Sequence, residues 1–289
     1  MKKEKTSEIK YCIFDPTGNI TALVETATEQ AKQPAVAAEI MREHHDVEQV
    51  GFVSMYTRGG GPGGADVCLR MAGGEFCGNA TMSSAALYAR RNEIHFGEIV
   101  NVGIQVDGIE RPFGVELRRE DASCWAAGVK MPPAMSIDEL RMTAEEFPAA
   151  EFGTLPVVRM QGIDHIIIEE KSFYYNLRDS RELTESLIRT ICGVLGSECL
   201  GMMFLAGGGR ERVMTPLVYV PGADTMFWEN SCASGSVAAG QYLAAVSDAK
   251  VKIALKEPGG TLVVESDPKS GTTWLYGGTK LRDQLTMEV

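Results

Sequence analysis

Short apolar segments recur along the whole chain, and turn-forming residues separate most of them. Residues 9–14 are mostly apolar, residues 15–19 read DPTGN, and residues 20–24 are mostly apolar again, which predicts a hairpin of two strands. Segments of the same kind predict further strands over residues 47–53, 67–71, 99–106, 113–117, 125–131, 157–160, 165–169, 201–206, 212–220, 251–255, 260–265 and 273–276. The pattern therefore predicts a strand-rich protein.

Longer segments between the strands predict helices. Over residues 28–45 the apolar side chains of Ala31, Val36, Ile40 and Met41 recur at helical spacing. Helices are also predicted over residues 77–91, 137–147, 179–193 and 232–246. Because strands and helices alternate while many strands pair as hairpins, the sequence predicts an α+β protein. Its mixed sheets would wrap around helices, which differs from a doubly wound nucleotide-binding fold.

The pair Pro132-Pro133 interrupts the predicted elements near the middle of the chain, and we take it as the domain boundary. The expected N-terminal domain comprises residues 1–131, and the expected C-terminal domain comprises residues 132–274. A final strand within residues 275–289 could return to the N-terminal domain. The chain of 289 residues is long enough for two domains of ordinary size.

Two cysteines stand at matching places in the two halves of the chain. The segment 75–81 reads EFCGNAT, and the segment 229–236 reads ENSCASGS. In each segment the cysteine precedes small residues and opens an alanine-rich stretch that predicts a helix. We interpret the match as one structural unit used twice, with Cys77 or Cys232 at the start of a helix in each half.

A cysteine at a helix start has a distinct chemistry. The unpaired N–H groups and the partial positive charge of a helix N-terminus stabilise a thiolate and an anionic ligand alike. Such a position lowers the pKa of a thiol below its usual value of about 8.5, so the cysteine can act as a base near neutral pH. Two such cysteines facing each other across a cleft would suit proton removal from one face of a carbon and delivery to the other. The alternative role, as small buried apolar residues, is less consistent with the matched second copy.

Composition narrows the possible partners. The formal net charge is −11 and the pI is near 5.0, which argues against a nucleic-acid partner. We expect no membrane partner, because no run of about 18 apolar residues occurs. The seven cysteines and the charged N-terminus, which lacks the apolar core of a secretory leader, predict free thiols in a reducing compartment and a cytoplasmic location.

Metal and phosphate sites find little support in the sequence. Cys192 and Cys199 are too far apart for a zinc knuckle, and the four histidines are scattered, so we expect no metal. The glycine-rich segment 58–66 lacks the Gly-Lys-Ser/Thr ending of a phosphate-binding loop and does not open a helix. We interpret it as a hairpin tip.

The motifs together resemble the diaminopimelate epimerase fold family, which holds amino-acid racemases and epimerases that need no pyridoxal cofactor. Within it they are most similar to the histidine racemases of opine-metallophore biosynthesis. The resemblance implies two pseudo-symmetric domains, each with a β-barrel-like mixed sheet around a central helix, a ligand between them, no cofactor and a homodimer. It rests on residues 18–19 (GN), 48–52 (EQVGF), 75–83 (EFCGNATMS), 201–203 (GMM), 228–232 (WENSC) and 258–260 (PGG).

The resemblance also implies roles for single residues. Cys77 and Cys232 become the two acid/base residues of an amino-acid racemase, with a small amino acid as the substrate. The other implied or candidate site residues are the cleft-lining Asn19 and Gln49, the carboxylate-binding backbone of Gly78, Asn79, Ala233 and Ser234, and Glu48 and Glu229. Either Glu75 or Glu229 would bind the substrate ammonium group or set thiol protonation; as surface charges they would do neither.

Three functional hypotheses stay open on the sequence. The motif match favours histidine racemisation. Racemisation or epimerisation of another amino acid is the second hypothesis. Diaminopimelate is disfavoured, because residues 70–72, 162–165 and 220–221 depart from the pattern with which diaminopimelate epimerase holds the far end of its substrate. The third is a non-catalytic amino-acid-binding protein or a thiol redox protein. A redox protein usually carries a CxxC pair, which neither Cys77 nor Cys232 forms.

Overall fold

The computed structural model describes residues 8–74, 76–107, 111–143 and 153–288. The chain divides in it into two units. The first unit consists of Met1–Lys130 and Tyr276–Val289, and the second consists of Met131–Leu275. The last strand begins in the second unit and ends in the first, so the chain passes from the first unit to the second and back.

The described residues of the first unit form eight strands and two α-helices. Their bounds are β1 (Glu8–Asp15), β2 (Thr21–Val24), α1 (Gln33–Glu43), β3 (Gln49–Met55), β4 (Val67–Met71), α2 (Gly78–Arg91), β5 (Ile99–Val106), β6 (Phe113–Arg119) and β7 (Cys124–Met131), followed at the end of the chain by β16 (Thr272–Glu288). A single 3-10 turn, Gln30–Lys32, precedes α1, and another, Pro62–Gly64, lies within the glycine-rich segment.

These strands close into a mixed barrel. Their order is β1-β2-β3-β4-β5-β6-β7-β16, and β16 also pairs with β1, which completes the circle. β2 runs parallel to β3, and β4 runs parallel to β5. β1 and β2 form the antiparallel hairpin that the sequence predicted. A closed barrel leaves no exposed sheet edge among these strands.

Helix α2 is the buried helix of the first unit. Every residue from Gly78 to Ala89 is buried, and the helix contacts β2, β3, β4, β5 and β6. A helix that is covered on all sides needs small side chains where the surrounding strands approach, and α2 is accordingly rich in alanine and serine. Its buried Ser83 hydroxyl lies 3.0 Å from the Thr279 hydroxyl of β16, which satisfies both polar groups.

The second unit has a second mixed sheet. Its elements are β8 (Ser136–Arg141), β9 (Thr154–Met160), β10 (Ile163–Glu169), α3 (Arg181–Leu195), β11 (Leu200–Gly208), β12 (Glu211–Val220), β13 (Thr225–Trp228), α4 (Ala233–Ser247), β14 (Val251–Glu257) and β15 (Gly260–Asp267), with 3-10 turns at Phe173–Asp179 and Pro221–Ala223. The strand order is β16-β15-β14-β12-β11-β10-β9-β8, with β13 paired to β12. The parallel pairs are β10–β11 and β12–β14.

Helix α4 takes the place in the second unit that α2 has in the first. It contacts β9, β10, β11, β14 and β15, and most of its first three turns is buried. Gly240 packs so closely on β15 that a Cβ atom there would lie 3.1 Å from Val264 Cβ. Helix α3 packs elsewhere, where Leu187, Ile188 and Ile191 join an apolar cluster with Phe204.

One predicted element is wrong in type. The acidic segment 137–147 was predicted as a helix, but residues 136–141 form strand β8, and residues 144–152 lie outside the described part of the chain. Pairing with β9 decides the outcome, because it places Ile137 opposite Val158 and buried Leu140 opposite buried Leu155. The sequence analysis also missed the four-residue strand β13, and it divided the continuous strand β16 into two segments, 273–276 and 275–289.

Candidate active site

Cys77 is the N-cap residue of α2. Its backbone is extended, and its sulfur accepts a hydrogen bond from the Ala80 N–H at 3.3 Å. The Thr81 N–H and hydroxyl both donate to the Cys77 carbonyl, at 3.0 and 2.8 Å. The thiol thus takes the place of the serine, threonine or aspartate side chain that usually caps a helix. Unlike most of α2, the Cys77 side chain is only partly buried.

Cys232 has the same position at the start of α4. Its backbone is extended, its sulfur accepts from the Gly235 N–H at 3.4 Å, and its carbonyl accepts from the Ser236 N–H at 2.8 Å. The Cys232 residue is buried, with 5% of its surface exposed. Each unit therefore has one thiol at the start of its buried helix. The backbone N–H groups of the first helical turn have no partner within the helix.

Several polar groups surround the Cys232 thiol. The Ser234 hydroxyl lies 3.6 Å from the sulfur, and the Glu229 carboxyl interacts with the thiol from the preceding loop. The backbone N–H of Cys232 donates to Glu257 Oε2 at 2.6 Å, and the Ser236 hydroxyl donates to Glu257 Oε1 at 2.5 Å. This carboxyl side chain, at the end of β14, is almost fully buried.

The expected lowering of the thiol pKa does not occur at Cys232. Burial raises the pKa of the Cys232 thiol well above its usual value, and the nearby carboxyl groups of Glu229 and Glu257 raise it further. Burial also raises the pKa of the Glu257 carboxyl to about 8, against the opposing effect of its hydrogen bonds. Burial and the two carboxyl groups therefore favour the protonated form of the Cys232 thiol.

His165 on β10 is linked to this group through Ser234. Its Nε2 lies 3.2 Å from the Ser234 hydroxyl, and no described residue bonds its Nδ1. The ring is fully buried, and burial lowers the pKa of His165 to about 3, so the imidazole is neutral. Gly201 on β11 leaves the necessary space, because a Cβ atom there would lie 2.7 Å from the His165 ring.

We predict that His165 makes the second unit sensitive to acid. Its pKa is lower in the folded state than in the unfolded state, so the unfolded chain binds the extra proton between pH 3 and its usual value of about 6.5. The stabilisation is present above that range and is lost as the pH falls, by up to about 1.4 kcal/mol per pH unit. The variant His165→Gln should lose less stability on acidification than the parent. Urea unfolding of both proteins over a pH series tests this, and parallel pH profiles would contradict it.

In the first unit, three predicted site residues form one cluster. Asn19 Nδ2 donates to Glu48 Oε2 at 2.7 Å, and Gln49 Nε2 donates to both Asn19 Oδ1 and Thr21 Oγ1, the latter at 3.1 Å. Asn19 is buried, whereas Glu48 and Gln49 are partly exposed. The bonds fix the three side chains relative to one another before any ligand binds.

Strand register places this cluster at the barrel end where β4, the strand before α2, finishes. Thr21 pairs with Gln49 in the parallel β2–β3 ladder, so both strands start at the same end of the barrel. β4 runs antiparallel to β3 and ends there, with Met71 opposite Gly51 and the Ala72 N–H donating to the Val50 carbonyl. The chain continues from Met71 to Cys77, six residues later. The polar cluster and the end of the strand that precedes α2 thus belong to one end of the barrel.

The four predicted backbone donors lie in the first turns of the two helices. Gly78 and Asn79 are the first residues of α2, and Ala233 and Ser234 are the first residues of α4. The N–H groups of an opening helical turn have no partner within the helix, so they remain available to a carboxylate. Asn79 is also buried, and its Oδ1 has no partner among the described residues.

The sequence analysis did not select Glu257, His165 or Ser236. Glu257 directly precedes the Pro-Gly-Gly motif, and Ser236, the fourth residue of α4, is the last residue of the quoted segment 229–236. Nothing local distinguished them from surface residues. Glu75 lies outside the described residues. Within the described ranges, no three His, Cys, Asp or Glu side chains are grouped to hold a metal ion, and no helix is long and apolar enough to cross a membrane.

Known proteins with similar sequences are histidine racemases. The family model "Histidine racemase CntK N-terminal domain" matches residues 8–274. A histidine racemase from Fusobacterium nucleatum subsp. nucleatum is 32% identical over 246 residues, which cover 83% of this chain and 82% of that protein. A histidine racemase from Staphylococcus aureus is 26% identical over 262 residues, which cover 89% and 88% of the two chains.

A solved structure shows the fold independently. The hydroxyproline epimerase from Agrobacterium vitis superposes with a TM-score of 0.68, at 10% identity, over 99% of this chain and 93% of that one. The likeness confirms an α+β fold with mixed sheets. The expected resemblance to histidine racemases is confirmed as well. The family model covers most of the sequence, and the chain belongs to the histidine racemase family.

Proposed function

We propose that this protein interconverts L- and D-histidine without a cofactor, and that Cys77 and Cys232 are its two acid/base residues. The observation that carries the proposal is the matched pair of N-cap cysteines, one at the start of each buried helix of a histidine-racemase-family chain. Racemisation requires one group to accept the α-proton and another to supply a proton to the opposite face. Two thiols, one of them ionised, meet that requirement.

In the proposed reaction, Cys77 starts as the thiolate and Cys232 starts as the thiol. The raised pKa of Cys232 supports this assignment, because it keeps that residue protonated before substrate binds. The Cys77 thiolate accepts the α-proton, and the electron pair of the broken C–H bond is delocalised into the substrate carboxylate. The Cys232 thiol then donates its proton to the α-carbon. The protonation states are exchanged after one turnover, so the reverse reaction starts from Cys232.

The other predicted residues would hold the substrate. We assign the substrate carboxylate to the N–H groups of Gly78, Asn79, Ala233 and Ser234, where hydrogen bonds stabilise the charge that grows as the α-proton leaves. Glu229 would bind the ammonium group, which its charge favours. The Asn19–Glu48–Gln49 cluster supplies a carboxylate and amides in fixed positions, which suits either the ammonium group or an imidazole N–H. A neutral imidazole donates one hydrogen bond and accepts another.

The finer features of the resemblance belong to the same proposal. They are a diaminopimelate epimerase-like pair of pseudo-symmetric domains, 1–131 with 275–289 and 132–274, and a homodimer in a cytoplasmic compartment. The barrel around α2 and the sheet around α4 support the pseudo-symmetry. The seven free cysteines support a reducing location. Light scattering of the purified protein would test the dimer.

The direct test follows the α-proton. The reduced protein is incubated with L-histidine in D₂O without pyridoxal phosphate, while NMR monitors the α-proton and chiral chromatography separates the enantiomers. We expect D-histidine to form with deuterium at its α-carbon, because the donating thiol exchanges its proton with solvent. If histidine is inert but another amino acid in a panel exchanges, the mechanism stands and the substrate is different. If the whole panel is inert while the thiols are shown to be free, the racemase proposal is wrong and a binding protein is favoured.

A further inference from the structure

The start of α4 lacks the acidic residue that completes a capping box. In a capping box, the N-cap side chain accepts from the N–H three residues later, and an acidic side chain at that later position accepts from the N-cap N–H. In α4 the first half of this exchange is present, since the Cys232 sulfur accepts from the Gly235 N–H. The second half cannot come from position 235, because glycine has no side chain.

A glycine is needed at position 235 for steric reasons. A Cβ atom there would overlap the Met203 sulfur and lie 3.1 Å from the Cys232 sulfur. Met203 is fully buried on β11, so it has little room to move away. An acidic side chain at position 235 would therefore have to displace Met203, and the N–H of Cys232 instead takes its acceptor from elsewhere in the unit.

Glu257 supplies that acceptor from β14. One carboxyl oxygen takes the Cys232 N–H at 2.6 Å, and the other takes the Ser236 hydroxyl at 2.5 Å. Two residues later, the Gly259 N–H donates to the Asn230 carbonyl at 2.8 Å. The segment that leads into α4 is therefore hydrogen-bonded both to the end of β14 and to the turn after it. In α2 the corresponding hydroxyl, that of Thr81, donates instead to the Cys77 carbonyl. The hydroxyl four residues after the cysteine thus bonds a backbone carbonyl in α2 and the Glu257 carboxyl in α4.

We propose that Glu257 is the positioning residue of Cys232, acting through its two hydrogen bonds to fix the backbone from which the thiol projects. The inference rests on the proposed role of Cys232 in the reaction. Glu257 itself need not touch the substrate. The groups that face the thiol with it are the Glu229 carboxyl, the Ser234 hydroxyl and, behind Ser234, the neutral imidazole of His165.

Two conservative variants show whether Glu257 acts through its hydrogen bonds or through its charge. In Glu257→Gln the amide oxygen can still accept from the Cys232 N–H, and the amide nitrogen can donate to the Ser236 oxygen, while the carboxyl is removed. In Glu257→Asp the carboxyl is kept but withdrawn by one methylene, so it cannot reach both donors. If Glu257 acts by position, Gln restores function and Asp does not. If it acts by charge, the order is reversed.

A matched control is available on the same helix. Gln241 is buried near the middle of α4, more than two turns from Cys232, and its amide bonds the Ala134 N–H, the Pro132 carbonyl and the Thr273 hydroxyl. The variant Gln241→Asn withdraws a buried polar group by the same one methylene without touching the Cys232 end. It reports what general loosening of α4 does to the measurements.

The measurements are kcat and KM for histidine, and the rate at which iodoacetamide modifies Cys232, followed by mass spectrometry of the Cys232 peptide. For Glu257→Asp we expect kcat to fall about 10-fold with KM changed less than about 3-fold, as small misplacement of a reacting group predicts. Modification of Cys232 should become roughly 5-fold faster, because the thiol is less firmly buried. Glu257→Gln and Gln241→Asn should stay within about 2-fold of the parent in both measurements.

Either of two results would overturn the inference. One is that Glu257→Gln is impaired while Glu257→Asp is not, which would show that the carboxyl acts by charge. The other is that Gln241→Asn matches Glu257→Asp, which would show that any loosening of α4 has this effect. The modification rates need no turnover. If the parent protein does not racemise histidine, the proposed function fails, but the rates still decide whether Glu257 positions Cys232.

Discussion

Replacing either Cys77 or Cys232 with serine is expected to lower the rate of histidine racemisation about 10³-fold or more. A serine hydroxyl has nearly the same size as a thiol and can still cap the helix, so the fold should persist. Its pKa is far too high for it to act as the base, and without the base the α-proton is not removed. Chiral chromatography of product from L- and from D-histidine measures the loss in both directions.

The control for this experiment is a buried cysteine elsewhere in the chain. Cys192 lies on α3, where its thiol donates to the Ser197 carbonyl at 3.3 Å. A serine can keep that hydrogen bond, and Cys192→Ser should racemise histidine at nearly the rate of the parent. Near-normal racemisation by Cys77→Ser or Cys232→Ser would contradict the two-cysteine mechanism. Retained binding of histidine without any racemisation in the parent would instead favour the binding-protein hypothesis.

The two cysteine helices could be predicted because their signals are local. In each half, a cysteine is followed by small residues and an alanine-rich segment. This pattern indicates a helix start and a helix that can be buried on all sides, and it can be recognised without knowing the contacts of distant segments. The β1–β2 hairpin is local in the same sense, since its turn residues lie next to its strands. The cluster of Asn19, Glu48 and Gln49 was reached through the family resemblance, and the hydrogen bonds among them required the structure.

What the sequence did not reveal depends on contacts between distant segments. Glu257 follows Cys232 by 25 residues, and only the packing of β14 against α4 brings its carboxyl to the Cys232 N–H. The direction of the Cys232 pKa shift was missed for the same reason, because burial is a property of the folded unit and it opposes the local effect of the helix start. Strand β8 was predicted as a helix because its acidic composition suits a helix surface, whereas its pairing with β9 is tertiary.

Replacing Gly240, which packs against β15 on α4, is expected to destabilise the protein. Adding a methyl group in Gly240→Ala would overlap Val264 Cγ1 and place the new carbon 3.1 Å from Val264 Cβ. Valine is branched at Cβ and fixed in its strand, so it cannot swing aside, and the helix itself must move away from the sheet. We expect the free energy of unfolding to fall by about 2–3 kcal/mol, despite the better helix propensity of alanine. Chemical denaturation followed by circular dichroism measures this loss.

The matched glycine-to-alanine substitution on α3 should raise the free energy of unfolding. Gly193 is exposed in that helix, and no atom lies within 4 Å of the position that a Cβ would occupy. Gly193→Ala therefore gains helix propensity without a steric cost and should stabilise the protein by roughly 0.5–1 kcal/mol. Since α4 carries Cys232 at its start, Gly240→Ala should also reduce kcat, whereas Gly193→Ala should not. Equal stability of the two variants would show that β15 can yield to the helix, and the close packing of α4 would then have no role in holding Cys232.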